Sequence, residues 1–199
     1  MMITDINIRD FREPEQEINP LILQRWSPRA LSGEALSEEE LLSLFEAAKW
    51  APSSSNNQPW RFIYVKNGTD QWPKLFSLLI EFNQSWAQRA AVLVLVLSRQ
   101  TFAHNGKPNP TASFDTGSAW ENLALEAASR GLIAHAMAGF DYDRAKKELS
   151  IPDDYKAEIM IAFGRPGDKE DLPAALQARE TPSDRKRLSE LISEGEFRF

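Results

Sequence analysis

Four short clusters carry the side chains whose types and spacing could do chemistry. In Arg25-Trp26-Ser27-Pro28-Arg29, two guanidinium groups stand four residues apart with a hydroxyl between them. Such a set can grip one phosphate through charge-assisted hydrogen bonds. The same run also suits a solvated turn whose arginines pair with nearby glutamates. Between Pro52 and Pro59 lie six consecutive hydroxyl and amide residues, Ser53-Ser54-Ser55-Asn56-Asn57-Gln58, followed by Trp60. They supply donors and acceptors able to read the edge of a planar heteroaromatic ring, or they form a hydrophilic connection. In Ala136-Met137-Ala138-Gly139-Phe140-Asp141, small residues around a glycine let backbone N–H groups approach a flat ligand closely, as they would also allow a plain strand-to-helix turn. Arg185-Lys186-Arg187 is a basic triplet, a solvated face unless the fold brings it beside Arg25 and Arg29.

Composition removes many other chemistries. The 199 residues contain no cysteine, so a disulfide framework, a thiolate nucleophile, a zinc ribbon and a cysteine-ligated cluster are all excluded. Redox chemistry would have to reside on something other than protein sulfur. His104 and His135 lack metal-type spacing, and no metal site is expected. There is no G-x-G-x-x-G, no G-x-x-x-x-G-K-[ST] and no G-x-S-x-G. With 23 basic and 29 acidic side chains the net charge is −6, against the dominant basic face that nucleic-acid binding needs. Met1–Arg12 is mixed and partly acidic, unlike a secretory signal. The longest apolar run, Ala90–Leu97, falls far short of the roughly 18 residues of a membrane span. A cytoplasmic protein with no membrane and no nucleic-acid partner is expected.

The elements that must position the clusters are legible in outline. Residues 1–16 read as a polar, loosely held arm, and Asn19–Trp26 as a short helix ending before Ser27-Pro28. Ser37 and Glu40 form a capping box that opens a helix with Leu41, Leu44, Phe45 and Ala48 on one face, stopped by Pro52. Arg61–Val65 reads as a strand, Asp70–Arg89 as one helix with Pro73 in its first turn. Ala90–Leu97, apolar without alternation, predicts a strand covered on both faces. Ser98–Ala112 has no periodicity and predicts a mobile functional loop; Phe114–Arg130 predicts a helix capped by Gly131. Leu132–Met137 is a short apolar stretch, Asp141 an N-cap, and Ala157–Phe163 a third buried strand. Gly164–Pro182 reads as an extended connection and residues 188–199 as a terminal strand or arm. With no internal repeat, one domain over 1–199 is expected.

Taken together, these clusters resemble the FMN-dependent nitroreductase family. Arg25-Trp26-Ser27-Pro28-Arg29 is similar to its R-x-S-x-R motif, and Pro52 through Trp60 to its P-S-x-x-N-x-Q-P-W loop. Asn122-Leu123 leading to Gly131-Leu132 is similar to its long helix ending in Gly-Leu. The resemblance runs from about Pro20 to Leu188. It implies an α+β fold, a central mostly antiparallel sheet flanked by helices, in an intertwined homodimer that binds FMN at the subunit interface. It also implies that Arg25, Trp26, Ser27 and Arg29 line the phosphate and ribityl site, joined by Arg185 and Arg187. Pro52, Ser53, Ser54, Ser55, Asn56 and Gln58 would reach the ring from the other subunit. The Met137, Ala138 and Gly139 backbone would lie along the flavin and offer an N–H near N5. The implied reaction passes a hydride from NADPH or NADH to N5 and electrons to a nitroaromatic, quinone or similar small-molecule acceptor in ping-pong fashion. A flavin-binding carrier or regulator without turnover is the alternative. The chain departs from the family pattern at Trp26, where an arginine is common, at Ala138, where many relatives carry an acidic residue or glycine, and at Arg187, where proline is usual.

Overall fold

The computed structural model describes residues 5–199. Four strands, β1 (Trp60–Lys66), β2 (Val92–Arg99), β3 (Ile133–Met137) and β4 (Tyr155–Gly164), form one sheet in the order β1-β2-β4-β3. Every pairing is antiparallel. Among the described residues, seven helices surround it: α1 (Pro20–Gln24), α2 (Glu38–Lys49), α3 (Trp72–Phe76), α4 (Glu81–Ala87), α5 (Ala112–Ser129), α6 (Tyr142–Glu148) and α7 (Ala174–Gln177). The architecture is α+β, as expected.

Strand alternation explains the layering. Along β2, Leu93, Leu95 and Leu97 face a core completed by Leu75 of α3, Trp86 of α4 and Met137 and Met160 of the sheet. Val92, Val94 and Val96 face the opposite core, built on Leu41, Leu44 and Ala48 of α2 and Ala119, Leu123 and Ala127 of α5. Side chains two apart share a face, so an unbroken apolar run is what a strand buried on both sides requires. The register slips once, between Val96 and Leu97, leaving Glu158 of β4 without an opposite residue. That is a β-bulge.

Local chemistry sets the element ends. Ser37 Oγ accepts the Glu40 N–H (3.1 Å) while Glu40 Oε2 accepts the Ser37 N–H (2.8 Å), closing the capping box of α2. Gly131, at φ +69°, ends α5, and Leu132 N–H reaches back to Ala127 O at 2.8 Å. Asp141 caps α6 by accepting the Arg144 N–H at 2.9 Å.

Two expectations are corrected, for 70–89 and 164–182, and two are given detail, for 98–112 and 188–199. Asp70–Arg89 is two short helices, because Leu79 pairs with Phe140 as an isolated bridge and the Ile80 N–H bonds Gly139 O (3.1 Å) in extended conformation. Ser98–Ala112 is a hydrogen-bonded excursion: Thr101 bridges Pro108, and Phe102 N–H donates to Lys107 O at 2.8 Å. Gly164–Pro182 contains α7 and is anchored by buried Leu172, Leu176 and Glu180. Leu188–Glu190 is a 3₁₀ turn and the tail beyond it forms no strand, so of the two readings the arm remains. The first four residues of the expected N-terminal arm lie outside the described residues. Its continuation is clamped by Arg12, whose guanidinium donates to Ser183 O (2.9 Å), Leu23 O (2.6 Å) and Arg25 O (2.9 Å).

Candidate active site

The end of α1 turns into the segment Arg25–Arg29, which runs beside β3, the sheet's edge strand. There Pro28 O accepts a hydrogen bond from His135 Nδ1 (2.9 Å). Trp26 packs on the core with one side and lines, with Arg25, Ser27 and Arg29, a cavity of about 260 Å³ shared with Arg12, Arg179 and Arg185. Arg187 stands outside this cavity; its backbone N–H caps the turn that follows by donating to Glu190 Oε1 at 3.1 Å.

The electrostatics are one-sided. Five guanidinium groups share the cavity lining, answered by a few carboxylates. Glu180, wholly buried, accepts the Arg29 N–H (2.5 Å) and Ala30 N–H (2.8 Å), and its other oxygen lies 3.5 Å from an Arg29 Nη. Glu121 of α5 stands 3.5 Å from Arg25 Nε. Burial, then the charges of Arg185 and Arg25, hold the Arg12 guanidinium below its ordinary pKa, with Asp184 opposing. Arg25 Nε and Arg29 Nε are buried without a hydrogen-bond partner. A buried donor left unpaired costs about 1–3 kcal/mol, and a phosphate in the cavity would relieve that cost. Burial pushes His135 down to about 4 against the hydrogen bond to Pro28, with Arg29 lowering it further. The ring is therefore neutral at pH 7 and adds no charge to the cavity.

Residues 53–58 form a rigid platform at the opposite edge of the sheet, leading into β1. Ser55, Asn56 and Gln58 have φ of 52°, 49° and 47°, a left-handed region that costs non-glycine residues roughly 1–2 kcal/mol each. Specific bonds hold it. Ser53 Oγ accepts the Gln58 N–H (3.0 Å), and buried Asp115 of α5 accepts the Ser54 N–H (3.1 Å). Asn57 braces the loop on the 101–103 excursion, its Oδ1 accepting the Ala103 N–H at 2.8 Å. The side chains of Ser55 and Asn56, with Pro52, are left exposed. Such concentrated backbone strain is typical of functional loops.

Met137 is buried at the end of β3, followed by exposed Ala138 and half-buried Gly139. One chain thus unites Arg25, Trp26, Ser27, Arg29 and Arg185, but sets the 53–58 loop at the other edge. Three strand spacings separate β1 from β3, roughly 14 Å at the usual spacing. Sequence reasoning missed Arg12, Arg179, Glu180 and Asp115. Their partners are remote in the chain, and no local motif marks them.

The nitroreductase family model matches residues 22–165. The chain belongs to the nitroreductase family. Among its relatives, an uncharacterized protein of Mycolicibacterium smegmatis is 32% identical over 66% of this chain and 90% of its own length. An Archaeoglobus fulgidus protein provisionally named NADH dehydrogenase/NAD(P)H nitroreductase is 26% identical over 79% of this chain and 90% of its own. A crystal structure described as an oxidoreductase containing FMN superposes with a TM-score of 0.90 at 46% identity, covering 94% of this nitroreductase-family chain and 96% of that one. A provisionally assigned nitroreductase of Desulfovibrio desulfuricans, solved in complex with FMN, gives 0.70 at 27% identity over 92% and 100%. Among the described residues of this family member, no helix is long and apolar enough to cross a membrane. Nor does any group of three or more potential ligands among them converge to hold a metal ion.

Proposed function

We propose that the chain is an FMN-dependent NAD(P)H oxidoreductase that works as a homodimer on small electron-poor acceptors such as nitroaromatics and quinones. The observation that carries this reading is the cavity lined by five arginines, in which the buried Nε groups of Arg25 and Arg29 make no hydrogen bond and Arg25 has only Glu121 at 3.5 Å as counter-charge. A phosphate supplies the missing acceptors and the missing negative charge. The 46% identical relative described as containing FMN points to which phosphate that is.

In this reading Arg25, Ser27, Arg29 and Arg185 hold the phosphate and ribityl chain, and Arg12 and His135 fix the backbone that presents them. Ser53, Ser54, Ser55, Asn56 and Gln58 of a second copy read the ring edge, which the separation of the two half-sites in one chain favours. The Met137–Gly139 backbone supplies an N–H toward N5. When bound, the flavin supplies hydride acceptance from NAD(P)H and electron delivery to the acceptor in two half-reactions. The protein contributes binding, orientation and hydrogen bonds, with no side-chain nucleophile.

The test is the spectrum of the purified protein before and after anaerobic NADPH, followed by menadione or nitrofurazone. Retained or reconstituted FMN, bleaching by NADPH and recovery with acceptor are expected, with parallel lines in double-reciprocal kinetics. A colourless protein that takes up no FMN would refute the proposal. FMN binding without turnover would leave a flavin carrier.

A further inference from the structure

We propose that Tyr142 and Asn83 are positioning residues that aim the Gly139 N–H at the flavin ring, an inference that rests on the flavin site proposed above. The turn after β3 is fixed from two sides. The Ala138 carbonyl accepts the Phe140 N–H (3.1 Å) and the Tyr142 hydroxyl (3.1 Å). A trans peptide is planar, and its carbonyl and N–H point to opposite sides. Pinning Ala138 O therefore turns the Gly139 N–H outward, where no acceptor meets it among the described residues. The Gly139 carbonyl, in the next peptide plane, accepts from Asn83 Nδ2 (2.9 Å) and the Ile80 N–H (3.1 Å). Both planes that meet at Gly139 are thus held.

The supports are themselves anchored. Asn83 is buried at 8% exposure, in α4. A Cβ on Gly139 would come within 2.7 Å of Asn83 Nδ2 and of Ile80 Cδ1, so the backbone lies hard against its clamp. The Tyr142 ring packs on Phe140, with 3.9 Å between centroids. Its hydroxyl oxygen also lies 3.4 Å from Glu158 O, at the β-bulge, the longer of two contacts that share its one proton. A hydrogen bond to the Ala138 carbonyl polarises that peptide and strengthens its N–H as a donor. Such a donor would pair with N5 of the oxidised ring, whose acceptor character is lost once N5 carries its own hydrogen, so the bond favours the oxidised state.

The experiment uses Tyr142→Phe, which keeps the ring and removes one hydroxyl, loaded with FMN. FMN affinity is expected within about twofold of wild type, because the phosphate contacts are untouched. The flavin midpoint potential should become less negative, and the single-turnover rate of reduction by NADPH should change by roughly three- to tenfold, the weight of one hydrogen bond. Asn83→Ala should move the potential the same way. A Tyr142→Phe protein with unchanged potential and reduction rate would overturn the inference, whether or not the Asn83 variant folds. So would one that loses FMN more than tenfold, since Tyr142 would then act on binding. Failure of the wild-type chain to bind FMN would overturn the flavin reading itself.

Discussion

Glu180 offers a sharp test of how the arginine cavity is built. Its carboxylate is fully buried, with one oxygen accepting two backbone N–H groups at 2.5 and 2.8 Å and the other 3.5 Å from Arg29. In Glu180→Gln the amide oxygen can still accept both N–H groups, but the NH₂ now faces a guanidinium and the charge is gone. Removing one partner of a buried pair costs up to about 3–5 kcal/mol. With Arg29 partly exposed and both backbone bonds kept, about 2–3 kcal/mol is expected. For a chain of this size each kcal/mol lowers Tm by about 2–4 °C, so the shift should be roughly 5–10 °C. Glu180→Ala also orphans two N–H groups at about 1 kcal/mol or more each. Its total loss of about 4–6 kcal/mol approaches the whole stability of an ordinary domain. Thermal and urea unfolding of the three proteins, with and without phosphate, measures this order. Because the carboxylate competes with a phosphate for Arg29, added phosphate should recover more of the Glu180→Gln loss than it adds to wild type. A Glu180→Gln protein within 2 °C of wild type, or Glu180→Ala no worse than Glu180→Gln, would refute the reasoning.

Arg25→Ala and Arg29→Ala should each weaken FMN binding about 10- to 100-fold, the worth of a charge-assisted hydrogen bond; flavin fluorescence titration reads it, and unchanged affinity in the double variant would remove the phosphate assignment. Folding holds His135 at about 4 against an ordinary 6.5, so the unfolded chain binds the extra proton between those values. Its contribution of about 3 kcal/mol is full above pH 6.5 and lost as pH falls towards 4. Urea unfolding should show a shallower acid-side slope in His135→Gln. Asp115→Ala frees the Ser54 N–H and should raise proteolytic cleavage within 53–58 by about tenfold, read by limited digestion.

Local signals made much of the fold legible. The Ser37/Glu40 box, the Gly131 cap and the Asp141 cap each depend on residues a few positions apart, and each forms as read. The uninterrupted β2 run also gave its own two-sided burial away. The single helix expected over 70–89 breaks, because Leu79 and Ile80 obey partners at Phe140 and Gly139 that no local window contains. The 164–182 segment looked featureless because Glu180 acquires its meaning from Arg29, some 150 residues earlier. The site divides in the same way. The motif residues were visible as clusters, whereas their braces, Arg12, Asp115 and Glu180, are ordinary charged residues until the fold pairs them. That the two halves lie on opposite sheet edges follows from strand order, which no motif encodes.

The two-sided burial of β2 has a consequence while the chain is being made. Val92–Leu97 alternates valine and leucine with no charge and no proline, the composition of a segment that zips onto copies of itself. Its neighbour β1 has already been synthesised when β2 emerges, but β4 follows about 60 residues later. For that interval one edge and much of both faces lack their final cover. Arg89 and Arg99 bracket the run, charges placed where they oppose intermolecular stacking. Neutralising both should reveal itself first as aggregation on the ribosome or in refolding, well before any change in the finished fold.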